Sequence, residues 1–115
     1  MQHRDKIVLE KIVAVIDEAI EILAEVSEEK FLEKPLFKLA TAMSVIRVGE
    51  LVKTLSEEIR VKNPQVPWRD VAGFRDIAAH KYDVLDFKRV YVSIKKEFPE
   101  LKSQIEKILD EDKTK

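Results

Sequence analysis

Arg75, His80 and Tyr82 fall within eight residues, in the stretch RDIAAHKY. An arginine is a permanent planar cation that clamps a phosphate through paired hydrogen bonds. A histidine is the side chain best suited to moving a proton near neutral pH. With no metal ligands beside them, the two suit cleavage of RNA through attack of its own 2′-hydroxyl on the adjacent phosphate. His80 would handle the proton, and Arg75 would neutralise the charge developing on phosphorus. DNA lacks that internal nucleophile, so such chemistry selects RNA without reading bases. A plainer reading exists: arginine and histidine near a helix C-terminus meet the negative end of its dipole. Tyr82 and Trp68 would then only cover the core with a polar tip in water. Residue types alone leave both readings open.

Spacing adds a constraint. Residues five apart on an ideal helix point about 140° away from each other. For Arg75 and His80 to reach one ligand, His80 must lie at a fraying helix end, or a second subunit must complete the site. Apolar periodicity predicts the elements that would carry them. Ile7, Val8, Ile12, Val15, Ile16, Ala19, Ile22, Leu23 and Val26 give a helix over about 4–26, with Leu9, Val13 and Ile20 widening the stripe. So broad a face suits packing on two sides, its own core and a second subunit. SEEKFLEKP breaks the pattern. Pro35 then fits the first turn of a second helix reaching about Arg60. Gly49 sits mid-helix at a cost of about 1 kcal/mol against alanine, which favours a close approach to the backbone there.

VKNPQVP reads as a linker, and Pro67 opens a third helix through His80, with Val71, Phe74, Ile77 and Ala78 facing inward. KYDVLD reads as a loop, Asp86 as the N-cap of a fourth helix over 87–97, and Pro99 as the start of a short last helix. The domain spans 1–110, and 111–115 form a solvated tail. The expected fold is all-α, an up-and-down bundle of four main helices plus a short C-terminal helix.

Composition fits long helices: 37% of the 115 residues are charged and glycine occurs twice. Cysteine is absent, which excludes disulfides and thiolate zinc sites and suits a reducing cytoplasm. Acids at Glu10, Asp17, Glu18 and Glu21 interrupt the apolar start, so it predicts neither a signal nor a membrane span. Charge is uneven. Residues 1–59 carry 8 basic and 12 acidic groups, residues 60–96 carry 9 and 4, and residues 97–115 carry 4 and 6. The positive segment holds Arg75 and His80 and would attract an anion.

Other candidates divide between a role and a solvated surface. Asp76 either orients Arg75 or His80 or opens a surface ion pair. Glu50 either hydrogen-bonds near the cleft or lies on a solvated face. Arg69, Lys81, Lys88 and Arg89 are candidates for phosphate contacts, while His3 is terminal. Asp83 and Asp86 are not expected to bind metal, because three-residue loop spacing without a histidine ligand is poor for it.

The segment VPWRDVAGFRDIAAHKYDVLD resembles the signature of the HEPN superfamily, and specifically of HepT-like toxins from toxin–antitoxin pairs. Their pattern is Arg-x4-His-x-Tyr with a polar residue after the arginine, matched here by Arg75, Asp76, His80 and Tyr82. PWR, AGFR, IRVGEL and FPELKSQIEKIL are similar too, so the likeness covers nearly the whole chain. The resemblance implies a cytoplasmic homodimer with the Arg and His of both subunits lining a shared cleft. It implies a metal-independent endoribonuclease without cofactor that inhibits growth. It further implies neutralisation by a nucleotidyltransferase antitoxin that transfers AMP to Tyr82. A non-catalytic nucleotide- or partner-binding module of the same fold is the alternative.

Overall fold

The computed structural model describes residues 1–113. Every regular element among them is helical: α1 (His3–Ile22), α2 (Glu28–Glu33), α3 (Pro35–Lys53), α4 (Glu57–Lys62), α5 (Trp68–His80), α6 (Phe87–Val92) and α7 (Phe98–Lys113). A short 3₁₀ turn, Tyr82–Val84, follows α5, and a π turn, Ser93–Glu97, joins α6 to α7. No helix among the described residues is long and apolar enough to cross a membrane.

The core sits where α1 packs against α3 and α7, and α3 against α5. The broad stripe of α1 is consumed there: Leu9, Ile12, Ile16 and Ala19 are fully buried, and Val13 and Ile20 pack against the same cluster. Its two apolar flanks thus belong to two neighbours in one chain, not to a second subunit. The uncovered apolar face lies on α3. Leu36, Leu39 and Met43, spaced as one helical stripe, are 75%, 56% and 54% exposed.

Two helix boundaries differ from the periodicity reading, for one reason. Expected helices over 4–26 and 35–60 stop at Ile22 and Lys53, and short helices start after Ser27 and Ser56. Each serine is an N-cap: Ser27 Oγ accepts from Lys30 N at 3.1 Å and Ser56 Oγ from Ile59 N at 3.3 Å. Two glutamates follow each cap and meet the positive helix end. The apolar rhythm runs through both breaks because Phe31, Leu55 and Ile59 still point into the core. Buried Asp5 fixes the second break, accepting from Ser56 N at 2.9 Å and Ser56 Oγ at 2.6 Å. The end of α1 is closed from the far side of the chain. Lys95 donates to Leu23 O at 2.5 Å and the Tyr91 hydroxyl to Val26 O at 2.7 Å.

The short C-terminal helix is not a separate element. Residues 87–113 form one uninterrupted rod, helical through Lys113 and so three residues into the expected tail; the other two tail residues lie outside the described residues. Pro99 lies inside that rod because the π turn precedes it: Phe98 N donates to Ser93 O, five residues back. The widened turn relieves the clash between a proline ring and the carbonyl four residues earlier, which breaks an ordinary helix. Asp86 caps the rod as expected, accepting from Lys88 N at 3.0 Å and Arg89 N at 3.3 Å.

Candidate active site

α5 forms where Pro67 starts it, and Trp68 anchors that start. Its ring is buried, and its indole Nε1 donates to Asn63 O at 3.0 Å. Ala78 is buried, and Val71 and Phe74 pack against the core from the same helix. Ile77, expected inward, is instead 47% exposed, because α5 is covered mainly on its α3 side.

That contact places Arg75. Gly49 of α3 lies so close to α5 that a Cβ built on it would stand 2.1 Å from Arg75 Cβ and 2.7 Å from Arg75 Cγ. The mid-helix glycine is therefore there for close approach, as its position suggested. The arginine stem lies in this crossing and its guanidinium emerges at the edge, with the side chain 19% exposed. Nη2 pairs with Glu50 Oε1 at 2.5 Å, and Nη1 with Asp76 Oδ1 at 3.0 Å. Lys53 Nζ reaches the same Asp76 oxygen at 2.5 Å. Arg75 Nε is buried with no partner among the described residues.

Arg75 Nη1 also comes to 3.5 Å from His80 Nε2. Of the two routes open to this pair, the chain takes the helix-end one. His80 is the last residue of α5, Lys81 leaves helical geometry at φ −133°, and the long arginine side chain spans the angular gap. Both residues therefore meet within one protomer. A guanidinium has only donors, so the contact needs an unprotonated Nε2. With Nε2 as the acceptor, the proton of a neutral ring would sit on Nδ1.

Tyr82 opens the 3₁₀ turn just past the helix. It is half-buried, its ring edge-on to Phe87 with centroids 5.4 Å apart. Phe87 continues to fully buried Phe31, 6.3 Å away, which in turn meets Tyr91 at 5.5 Å. The ring of Tyr82 is thus held by the core.

The remaining candidates fall on the surface or into other bonds. Arg89 makes a two-point pair with Glu97 at 2.6 and 3.0 Å and lies over the Phe74 ring, so it is a packing residue here. Arg69, Lys81, Lys88, His3 and Asp83 are exposed, and Asp86 is the cap already described. A cavity of about 330 Å³ between α3, α5 and the 87–113 rod is lined by Val48, Phe74, Arg89, Glu97 and others, and Arg75, His80 and Tyr82 do not reach it. Glu50 resolves into a direct partner of Arg75. Lys53 was not singled out from sequence, although its spacing of three from Glu50 puts both on one face of α3.

Asp76 carries the clearest electrostatic signature. The hydrogen bond from Lys53, then that from Arg75, hold its carboxyl below the usual carboxylate range. A carboxylate whose pKa is lowered on folding contributes stability above its unfolded pKa and loses it as pH falls through the folded value. The melting temperature of wild type should therefore exceed that of Asp76→Asn near neutral pH. The gap should close as pH drops below the ordinary aspartate range. A gap that persists unchanged in acid would contradict the pairing.

Comparison with known proteins gives a consistent result. The family described as "Ribonuclease HepT-like" matches residues 12–108. A protein of Caldanaerobacter subterraneus subsp. tengcongensis named "Putative RNase" is 36% identical over 91% of this chain and 94% of its own. One of Methanocaldococcus jannaschii with the same kind of name is 34% identical over 95% of each chain. The "Probable ribonuclease HepT" of Thermococcus cleftensis is 33% identical over 81% of this chain and 88% of its own. No solved structure matches the chain.

Proposed function

We propose that this chain, which belongs to the ribonuclease HepT-like family, is a metal-independent endoribonuclease acting as the toxin of a toxin–antitoxin pair. One observation carries the reading: the Arg75 guanidinium and the His80 Nε2 atom converge at 3.5 Å on an open face. His80 Nε2 takes the proton from an RNA 2′-hydroxyl as its oxygen attacks the adjacent phosphorus. The bond from phosphorus to the 5′-oxygen breaks, and the imidazolium returns a proton to that leaving oxygen. The products are a 2′,3′-cyclic phosphate and a 5′-hydroxyl. Arg75 stabilises the charge gathered on the phosphoryl oxygens, the phosphate taking the place of Asp76 at Nη1 while Glu50 keeps Nη2.

The working unit is a homodimer of up-and-down bundles. The stripe of Leu36, Leu39 and Met43 supports this, since it is uncovered and runs along α3 toward Arg47 and Glu50. A second copy seated there would bring a further wall to an otherwise open site. The direct test is cleavage of RNA by purified protein in EDTA, with products ending in a cyclic phosphate. Intact RNA at stoichiometric protein, with nucleotide bound, would favour the non-catalytic module instead.

Neutralisation proceeds by AMP transfer from ATP to the Tyr82 hydroxyl, catalysed by a nucleotidyltransferase antitoxin with release of pyrophosphate. Tyr82 follows His80 by two residues, so an adenylate there adds charge and bulk beside the pair. Co-expression with that partner should add the mass of AMP to the peptide holding Tyr82, and Tyr82→Phe should abolish the addition. Adenylation elsewhere, or none, would remove this assignment.

A further inference from the structure

Arg75 is not held by its own helix alone. One outer nitrogen of its guanidinium goes to Glu50 on α3 and the other to Asp76, which Lys53 of α3 grips from the opposite side. Glu50 and Lys53 stand three residues apart on one face of α3, and Arg75 and Asp76 are adjacent on α5. The four form a row of alternating charge, Glu50–Arg75–Asp76–Lys53, across the helix crossing that Gly49 keeps tight. Nothing else among the described residues fixes the guanidinium: its Nε has no partner, and the His80 ring it approaches is exposed.

We propose that Glu50, supported by Lys53, is a positioning residue that sets the tautomer of His80 through Arg75. By anchoring Nη2, Glu50 turns Nη1 toward His80, and a donor there requires the Nε2 lone pair. An exposed imidazole left to water carries its proton mainly on Nε2, the wrong nitrogen for accepting one. Without Glu50 only Asp76, its neighbour on the same helix, still holds Nη1. The guanidinium then pivots on that one bond, with the rotamer freedom of its long stem, away from the imidazole, and the ring reverts. The catalytic consequence rests on the nuclease reading above, while the tautomer itself does not.

That difference separates the two in one set of experiments. His3 is the other histidine of the chain and is exposed, so it serves as an internal reference. In long-range ¹H–¹⁵N spectra at alkaline pH, His80 of wild type should show the proton on Nδ1 and His3 the proton on Nε2. In Glu50→Gln, with helicity checked by circular dichroism, His80 should move to the His3 pattern, and in Lys53→Met it should move part of the way. In RNA cleavage, Glu50→Gln should lower kcat about 10–100-fold, the cost of a misplaced catalytic group. KM should not rise, because Glu50 gives the phosphate no contact. An Nε2–H ring in wild type, or a His80 pattern unchanged in both variants, overturns the proposal even if RNA is cut. The expected tautomer change in a protein that never cuts RNA upholds the positioning and removes the nuclease.

Discussion

Replacing His80 with alanine is expected to lower RNA cleavage about 10²–10⁴-fold, the usual weight of one positioned proton-transfer group. The fold should survive intact. His80 is exposed at the last position of α5, and its contact to Arg75 Nη1 is at the 3.5 Å limit of a hydrogen bond, so truncation opens no cavity. Substrate affinity should change little, because the phosphate is held by Arg75 and His80 is assigned the 2′-hydroxyl proton. Arg75→Ala should differ in kind. It removes the cation that meets the phosphate and frees Glu50 and Asp76, so KM should rise and stability should fall together with kcat. His80 is therefore the cleaner probe. The measurement is single-turnover cleavage of a labelled RNA in EDTA, with thermal melts of both variants. Cleavage by His80→Ala within a few-fold of wild type would end its role in proton transfer, whatever Arg75→Ala does.

How far the sequence reached can be judged from the same residues. α5 was readable because Pro67 marks its start and the periodic run ends at His80, both purely local signals. Asp86 was readable as a cap for the same reason. Gly49 was readable because an expensive residue inside a helix needs a cause, and the α3–α5 crossing supplies it. The convergence of Arg75 and His80 in one chain was not. It runs through a flexible side chain that pairs with Glu50 on another helix, and spacing along α5 does not contain that pairing. The breaks at Ser27 and Ser56 were hidden because apolar rhythm reports burial, and burial continues across a cap when the next helix packs on the same core. Each Ser-Glu-Glu triplet was the local signal that marked them. Pro99 misled in the opposite sense. A proline reads as a helix start, and only the π turn before it lets the rod pass. The stripe on α1 showed a helix covered on two sides without saying by whom. α3 and α7 do the covering, and the apolar face left uncovered falls on α3.

The two glycines make the sharpest test of that crossing, because both lie inside helices and should respond with opposite sign. Alanine is favoured over glycine in a helix interior by about 1 kcal/mol. At Gly73 a new Cβ meets nothing within 4 Å, so Gly73→Ala should gain stability by up to about that amount. At Gly49 the same atom would stand 2.1 Å from Arg75 Cβ and 3.2 Å from Val71 O. Neither is the loose end of a side chain, so α3 and α5 must part along the interface between them. Overpacking of that kind costs about 3 kcal/mol at the upper end of its usual range, and the propensity gain of about 1 kcal/mol offsets part of it. Gly49→Ala should therefore lose about 2 kcal/mol net in urea unfolding. It should also lose cleavage at temperatures where it remains folded, since a parted crossing carries Arg75 away from Glu50. Gly73→Ala should keep wild-type cleavage. A Gly49→Ala protein as stable as Gly73→Ala would mean that the backbones do not meet at this point. The placement of Arg75, and every role drawn from it, would then lose its support.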